Sequence, residues 1–142
     1  MLAVKLCTSL LLAASMFSPI LAAPAEPRAA DVNPSGTHTG DGTWFVPGLG
    51  ACGFTNTGSD LIVAVGHELF DTFPGYNGHN PNTNPICGRK ITATFKGKSV
   101  TVKVVDRCVA CNTFDLDFSR AGFAALANPD VGRIHGVKWH LD

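Results

Sequence analysis

Few side chains in this sequence are suited to acid–base chemistry, and Asp106 is the best placed of them. It directly follows the apolar run Val100–Val105 and precedes Arg107. A carboxylate at a strand end is well placed to enter a cleft, where burial raises its pKa toward that of a general acid. The commoner alternative is an aspartate that accepts backbone hydrogen bonds or pairs with an arginine. Taken alone, the residue pattern favours this structural role.

Three further polar side chains are candidates for a site. Asp115 and Asp117 are two residues apart, so in a strand both side chains lie on one face. Asp117 also lies just before Ser119, a good helix N-cap, where a negative charge is favourable. Structural use is therefore favoured for both carboxylates. His67 follows the apolar run 61–65, and it is either a proton carrier or substrate-orienting donor, or a loop histidine with no such role.

Aromatic side chains supply the candidates for stacking on sugar rings, namely Trp44, Phe45 and Tyr76. Core packing is the more common task of Trp and Phe, so that alternative is weighed first. The sequence contains no G-x-S-x-G, no phosphate-binding loop and no H-E-x-x-H. No cofactor and no metal site are predicted.

The five cysteines indicate disulfide bonds. Cys7 lies in a segment that we expect to be removed, and four cysteines in a small secreted domain suggest two bridges with three possible pairings. The C-x-x-C spacing of Cys108 and Cys111 also occurs in redox and metal-binding pairs. A zinc site, however, requires a second pair of closely spaced ligands, and a thioredoxin-like motif requires a βαβ unit. We favour bridges Cys52–Cys87 and Cys108–Cys111.

Composition narrows the class of protein. The 142 residues are enough for one domain, and 11 Lys+Arg balance 11 Asp+Glu. With 45% hydrophobic and 15% charged residues, the chain can bury a core, which argues against wholesale disorder. A net charge of zero gives no electrostatic attraction for phosphate, so no nucleic-acid partner is predicted.

The chain divides into three predicted segments. Residues 1–23 carry one lysine, an apolar run too short to span a bilayer, and small residues at the end, which is typical of a secretory signal peptide. Residues 24–39 are rich in proline, alanine and polar residues and predict a flexible leader. Residues 40–142 form the domain. We expect a secreted, extracellular protein that has no membrane contact after the signal is removed.

Short β-prone runs dominate the domain. Strands are predicted at 43–46, 61–65, 91–95, 99–105, 114–118 and 134–141, with a short helix at 120–127. The third and fourth runs alternate apolar and polar residues around a turn with a central glycine, so they predict a hairpin. Residues 74–88 form a long polar loop, and loops of this length are often functional. Five or six short strands with one helix predict a small closed barrel.

Six ordered sequence blocks resemble the double-psi β-barrel family, which includes rare lipoprotein A domains, expansin first domains, barwin-like proteins and related endoglucanases. The blocks are GTWF at 42–45, ACG at 51–53, IVAVGH at 62–67, PICG at 85–88, VKVVDRC at 102–108 and DLDFS at 115–119. The chain is similar to the small, single-domain secreted members described as expansin-like or barwin-like. The resemblance implies a mainly β fold, a six-stranded double-psi β-barrel with one or two short helices, stapled by disulfides.

The resemblance also implies roles for particular residues. In rare lipoprotein A enzymes, which are lytic transglycosylases on peptidoglycan, a histidine and the aspartate of an N-D-R-G-P block are catalytic. His67 and Asp106 fall on those positions, with Cys108 in place of the glycine. Expansins carry a key aspartate in a His-Phe-Asp block, and Asp117 matches it. Ordinary glycoside hydrolysis needs two carboxylates across the groove, and the only acidic residue near the chain's first block is Asp41.

The first functional prediction is a protein that binds cell-wall polysaccharide in a shallow groove without hydrolysing it. Asp106 and Asp117 are the predicted polar contacts, with Asp115 beside them. The aromatic contacts predicted on the groove are Trp44, Phe45 and Tyr76.

Two alternatives remain open at this point. One is an inhibitor of papain-type cysteine proteases, whose loop 74–88 would occupy the protease cleft. The other is a weak lytic enzyme that cleaves glycan with His67, Asp106 and Asp117. The predicted partner is thus a wall polysaccharide or a protease, and we expect the protein itself to be a monomer.

Overall fold

A computed structural model of the chain describes residues 32–142. The predicted signal peptide, and the predicted leader as far as residue 31, lie outside the described residues. The strands are β1 (His38–Phe45), β2 (Ile62–Gly66), β3 (Lys90–Phe95), β4 (Lys98–Cys108), β5 (Leu116–Ser119) and β6 (Arg133–Leu141). The helices are α1 (His67–Asp71) and α2 (Arg120–Ala124), and 3-10 turns span Pro81–Thr83 and Pro129–Val131.

The six strands close into a barrel in the order β1-β5-β2-β4-β3-β6. The pairs β1–β5 and β2–β4 are parallel, and the other neighbouring pairs are antiparallel. Both short helices and both disulfides are also present, so the predicted fold class is confirmed. The predicted hairpin is β3–β4, and its turn residues Lys96 and Gly97 have the positive φ angles that two-residue hairpin turns require.

The barrel interior is filled by alternate residues of the strands. Val63 and Val65 of β2 are fully buried inside it, together with Val104, Leu116 and Phe118 of the neighbouring strands. Each apolar side chain of this size that leaves water stabilises the fold by about 1.5–3 kcal/mol. Every residue of β2 is buried, those on its outer face as well as those inside the barrel.

The two helices close gaps at the barrel ends. Helix α1 buries Leu69 and Phe70, and α2 buries Phe123. Ser119 is the N-cap of α2, as the sequence predicts: its hydroxyl accepts a hydrogen bond from the Gly122 N–H at 3.1 Å and donates one to the carbonyl of Asp60. Residues 32–142 contain no helix with the length and apolarity of a membrane span.

Both predicted cysteine pairings are confirmed. Cys52–Cys87 joins the segment after β1 to the segment before β3, across a sequence separation of 35. Cys108–Cys111 closes the turn that follows β4, across a separation of 3. The first bridge therefore ties distant parts of the chain together, whereas the second acts within a single turn.

Candidate functional site

A row of paired residues crosses the outer face of five strands. Arg133 of β6 lies opposite Thr43 of β1, which lies opposite Asp117 of β5. Asp117 lies opposite Ala64 of β2, which in turn lies opposite Asp106 of β4. Residues directly opposite each other in a sheet project from the same face. Asp106 and Asp117 therefore flank one small side chain, with their Cα atoms about 10 Å apart across two strand spacings.

The Asp106 carboxylate holds a loop in place with one oxygen and can accept further hydrogen bonds with the other. One of its oxygens, Oδ1, accepts hydrogen bonds from the backbone N–H groups of Ala51 and Arg107, each at 2.8 Å. The segment around Gly50 lies so close to β4 that a Cβ on Gly50 would stand 2.4 Å from the carbonyl oxygen of Val105. The half-buried Asp106 carboxylate thus holds the segment around Gly50 and Ala51 against β4, beside Ala64. Its second oxygen has no hydrogen-bond partner within residues 32–142.

Asp117 occupies the other side of Ala64. Its Oδ1 accepts a hydrogen bond from the Thr43 hydroxyl at 2.7 Å. Burial raises the pKa of Asp117 above its ordinary value, and the nearby charge of Asp106 raises it further. The bond from Thr43 and the charge of Arg133 act in the opposite direction. The two carboxylates are thus close enough to sense each other electrostatically.

Asp115 lies apart from this pair in its contacts. It is buried, and its Oδ1 accepts a hydrogen bond from the Asp41 N–H at 2.8 Å. Its Oδ2 accepts from the backbone N–H and the side-chain amide of Asn112, at 3.0 and 2.9 Å. These bonds tie the turn after β4 to β1, so the carboxylate positions the loop beside Asp117. The Asp41 carboxylate is itself occupied by His135 and Arg133, and both hydrogen bonds lower its pKa.

His67 is the first residue of α1, directly after the Gly66 that lies opposite Cys108. Its Nδ1 atom is buried and has no hydrogen-bond partner among the described residues. No hydrogen bond within residues 32–142 joins the imidazole to Asp106 or Asp117. The structure therefore places His67 at the end of the strand between the two carboxylates without linking it to either.

The three aromatic candidates are dispersed. Trp44 alternates with Thr43 and so projects from the opposite face, where its Nε1 donates to the Pro129 carbonyl at 2.9 Å and Arg120 lies over its ring. Phe45 shares the face of Thr43, one step along the row. Tyr76 packs edge-on against Phe70 instead. Of the two aromatic candidates on β1, Phe45 lies on the face that carries the two carboxylates and Trp44 does not.

Two residues of the site, Ala64 and Thr43, were not predicted from the sequence. Ala64 lies between the two carboxylates, and the signal for it is the one small side chain in the apolar run 61–65. Thr43 bonds Asp117 from 74 positions away in the sequence, and nothing local to Thr43 indicates this.

Comparison with known proteins places the chain among relatives of this fold. No protein-family model matches it. The papain inhibitor of Streptomyces mobaraensis is 33% identical over 118 residues, which cover 81% of this chain and 78% of that protein. An Asp f 7 allergen homolog of Arthroderma benhamiae is 34% identical over 117 residues. That match covers 72% of this chain but only 38% of the allergen homolog's length.

Solved structures agree with the sequence relatives. The Streptomyces papain inhibitor superposes with a TM-score of 0.65 at 33% identity, covering 75% of this chain and 94% of that one. The apo expansin of Clavibacter michiganensis gives a TM-score of 0.58 at 24% identity, covering 75% of this chain and 50% of that one, and it supports the fold alone.

The closed barrel, its two parallel strand pairs and these matches define a protein of the double-psi β-barrel class. The chain belongs to the rare lipoprotein A-like and expansin-like (barwin-like) family of such barrels, alongside the Streptomyces papain inhibitor.

Proposed function

We propose that this protein is secreted and binds neutral cell-wall polysaccharide in the groove between Asp106 and Asp117, without hydrolysing it. The observation that carries the proposal is the position of the two carboxylates on either side of Ala64 on one outer face. Each carboxylate has an oxygen free of protein hydrogen bonds within residues 32–142, and carboxylate oxygens are acceptors for sugar hydroxyls.

The charge pattern supports a neutral ligand. The chain has no net charge, and two acidic groups in one groove disfavour an anionic polymer. Phe45 adds an apolar surface beside the row. Hydrolysis is not proposed: the resemblance to the endoglucanases implies a second carboxylate near the start of the barrel, and the acidic residue there, Asp41, is held by His135 and Arg133.

A pull-down with insoluble cellulose, chitin and peptidoglycan tests this proposal. Asp106→Asn is the informative variant, because the amide oxygen still accepts from Ala51 and Arg107 while the charge is removed. Asp130→Asn is the matched control, since Asp130 is exposed and its carboxylate makes no hydrogen bond among the described residues. We expect retention on at least one polymer, weakened by Asp106→Asn and unchanged by the control. No retention on any of the three polymers would refute the proposal.

A second candidate function is inhibition of a papain-type protease, and one observation favours it. Val46 and Leu49 are 83% and 76% exposed on the segment that Asp106 and Cys52 hold in place. Apolar side chains on a fixed loop suit insertion into a protease cleft. Residues 74–88 are less suited, because no large apolar side chain is exposed there. The papain inhibitor among the relatives makes this the natural competing activity.

Papain assays separate the two candidates. If the protein is an inhibitor, Leu49→Asp abolishes the inhibition, whereas Asp106→Asn preserves it because the loop remains anchored. Val131→Asp is the matched control, since Val131 is also exposed, at the turn before β6. Absence of inhibition by the wild-type protein would exclude this second function.

A further inference from the structure

The Cys108–Cys111 bridge lies outside the hydrophobic core cluster, whereas the other bridge is part of it. It closes the turn after β4, in which Val109 is 73% exposed and Cys108 is half-buried, whereas Cys111 is only 8% exposed. In the other bridge, Cys52 belongs to the hydrophobic core, and Cys87, which is half-buried like Cys108, packs against that core. Within this bridge, a thiolate from solvent can therefore approach the sulfur of Cys108 more readily than that of Cys111.

The turn is held in place without the disulfide. Cys108 lies in the β4 ladder opposite Gly66, and Asn112 is bound to the buried Asp115 by two hydrogen bonds. The backbone carbonyl of Asn112 also lies directly over Gly66, where a Cβ would stand 2.1 Å from its oxygen. Reduction would thus leave both thiols near their present positions, ready to close again.

A carboxylate lies beside the two sulfur atoms of this bridge. A carboxylate oxygen of Asp117 and the Sγ atoms of Cys108 and Cys111 all lie within 4.8 Å of one another. The charged groups that act on Asp117 are Asp106 on β4 and Arg133 on β6. Burial raises the pKa of Asp117. A half-buried carboxylate beside a buried thiol is suited to accept that thiol's proton.

We propose that Cys108 and Cys111 form a thiol–disulfide exchange site, with Asp117 as the proton acceptor for Cys111. The reduced pair first reacts with a small disulfide. Cys108 loses its proton to water, its thiolate attacks one sulfur to form a mixed disulfide, and the other half leaves as a thiolate that takes up a proton from water. The Cys111 thiol then gives its proton to the Asp117 carboxylate, and the resulting thiolate attacks the Cys108 sulfur. The second half of the small disulfide leaves as a thiolate and takes the proton back from Asp117. Two protein thiols are oxidised, and one external disulfide is reduced to two thiols.

Graded reduction of the oxidised chain with dithiothreitol, followed by alkylation and peptide mass spectrometry, tests the accessibility. We expect Cys108 and Cys111 to be alkylated at reductant concentrations that leave Cys52–Cys87 intact. Reduction of Cys52–Cys87 first, or at the same concentration, would overturn the proposal.

Glutathione disulfide then tests the order of attack and the proton transfer. With Cys111→Ser we expect a stable glutathione adduct on Cys108, and with Cys108→Ser a much slower reaction at Cys111. With Asp117→Asn we expect ring closure of the mixed disulfide to slow about 100-fold at neutral pH, with loss of the acidic limb of its pH–rate profile. Asp130→Asn should match wild type. Equal reactivity of the two single cysteines, or an Asp117→Asn rate and pH profile like wild type, would refute the assignment.

Discussion

Removing the two disulfides one at a time is expected to destabilise the barrel by clearly different amounts. A bridge stabilises a protein mainly by restricting the unfolded chain, and the effect grows with the length of the closed loop. Cys52–Cys87 spans a separation of 35, whereas Cys108–Cys111 spans a separation of 3. The double variants Cys52→Ala/Cys87→Ala and Cys108→Ala/Cys111→Ala compare them with the same side-chain chemistry.

The loop lengths set the magnitude. The loop-closure relation gives about 4 kcal/mol for the separation of 35 and about 2 kcal/mol for the separation of 3. The expected difference is 1.5RT ln(35/3), or about 2 kcal/mol. Loss of the core position of Cys52 adds to the cost of the first variant. Domains of this kind have total stabilities of about 5–15 kcal/mol, so both variants should still fold.

Urea denaturation, followed by tryptophan fluorescence, measures the free energies of unfolding of the two variants. Equal slopes of this free energy against urea concentration would show that both variants expose the same amount of surface on unfolding. The result that would refute the reasoning is an equal loss in the two variants, or a larger loss from removal of Cys108–Cys111. Either outcome would mean that the turn after β4 depends on its disulfide and is not held by Asp115 and the β4 ladder.

Three further outcomes follow from contacts in the groove. Asp106→Ala should lower the free energy of unfolding by about 2 kcal/mol or more, because the N–H groups of Ala51 and Arg107 lose their acceptor, and Asp106→Asn should cost much less; equal losses in urea titrations would contradict this. The raised folded-state pKa of Asp117 means that the contribution of this group to stability is fully present below the ordinary aspartate value of 3.8 and is lost as pH rises through the folded pKa. Asp117→Asn should therefore be more stable than wild type at neutral pH, with the gain shrinking in acid, and a gain independent of pH would be inconsistent with that assignment. Gly66→Ala should lower the melting temperature by several degrees, since its Cβ would collide with the Asn112 carbonyl; an unchanged melt would show that the turn can move away.

The fold was largely predictable because its signals are local. Alternation in 91–95 and 99–105, with a glycine between them, predicted the β3–β4 hairpin. The continuous apolar run at 61–65 predicted a strand, and β2 begins one residue later and is buried along its whole length, while Leu61 is 49% exposed. Helix α2 is shorter than predicted: it ends at Ala124, and the N–H groups of Leu126 and Ala127 both bond to the Phe123 carbonyl in the turn that follows.

The site was harder to predict because its contacts are long-range. Residue types singled out Asp106 and Asp117, and only the barrel closure shows that both lie opposite Ala64. Asp106 has the structural role that the residue pattern favours, since one oxygen accepts backbone N–H groups, and its other oxygen faces no protein donor among the described residues. Ala51, which donates to Asp106, is 55 residues away from it, and a local sequence pattern cannot indicate a contact over that separation. Trp44 lies on the opposite face of β1 from Thr43, because side chains alternate along a strand.

Backbone amide shifts during titration with soluble cello- and chito-oligosaccharides and peptidoglycan fragments test the groove most directly. If the groove binds glycan, the shifts should concentrate on Thr43, Ala64 and Ala51, whose amides surround the two carboxylates, and leave the β3–β4 turn at Lys96 unaffected. The same titration of Asp106→Asn should show weaker binding at the same residues. Shifts centred elsewhere on the barrel, or none with any of the three ligands, would contradict the account.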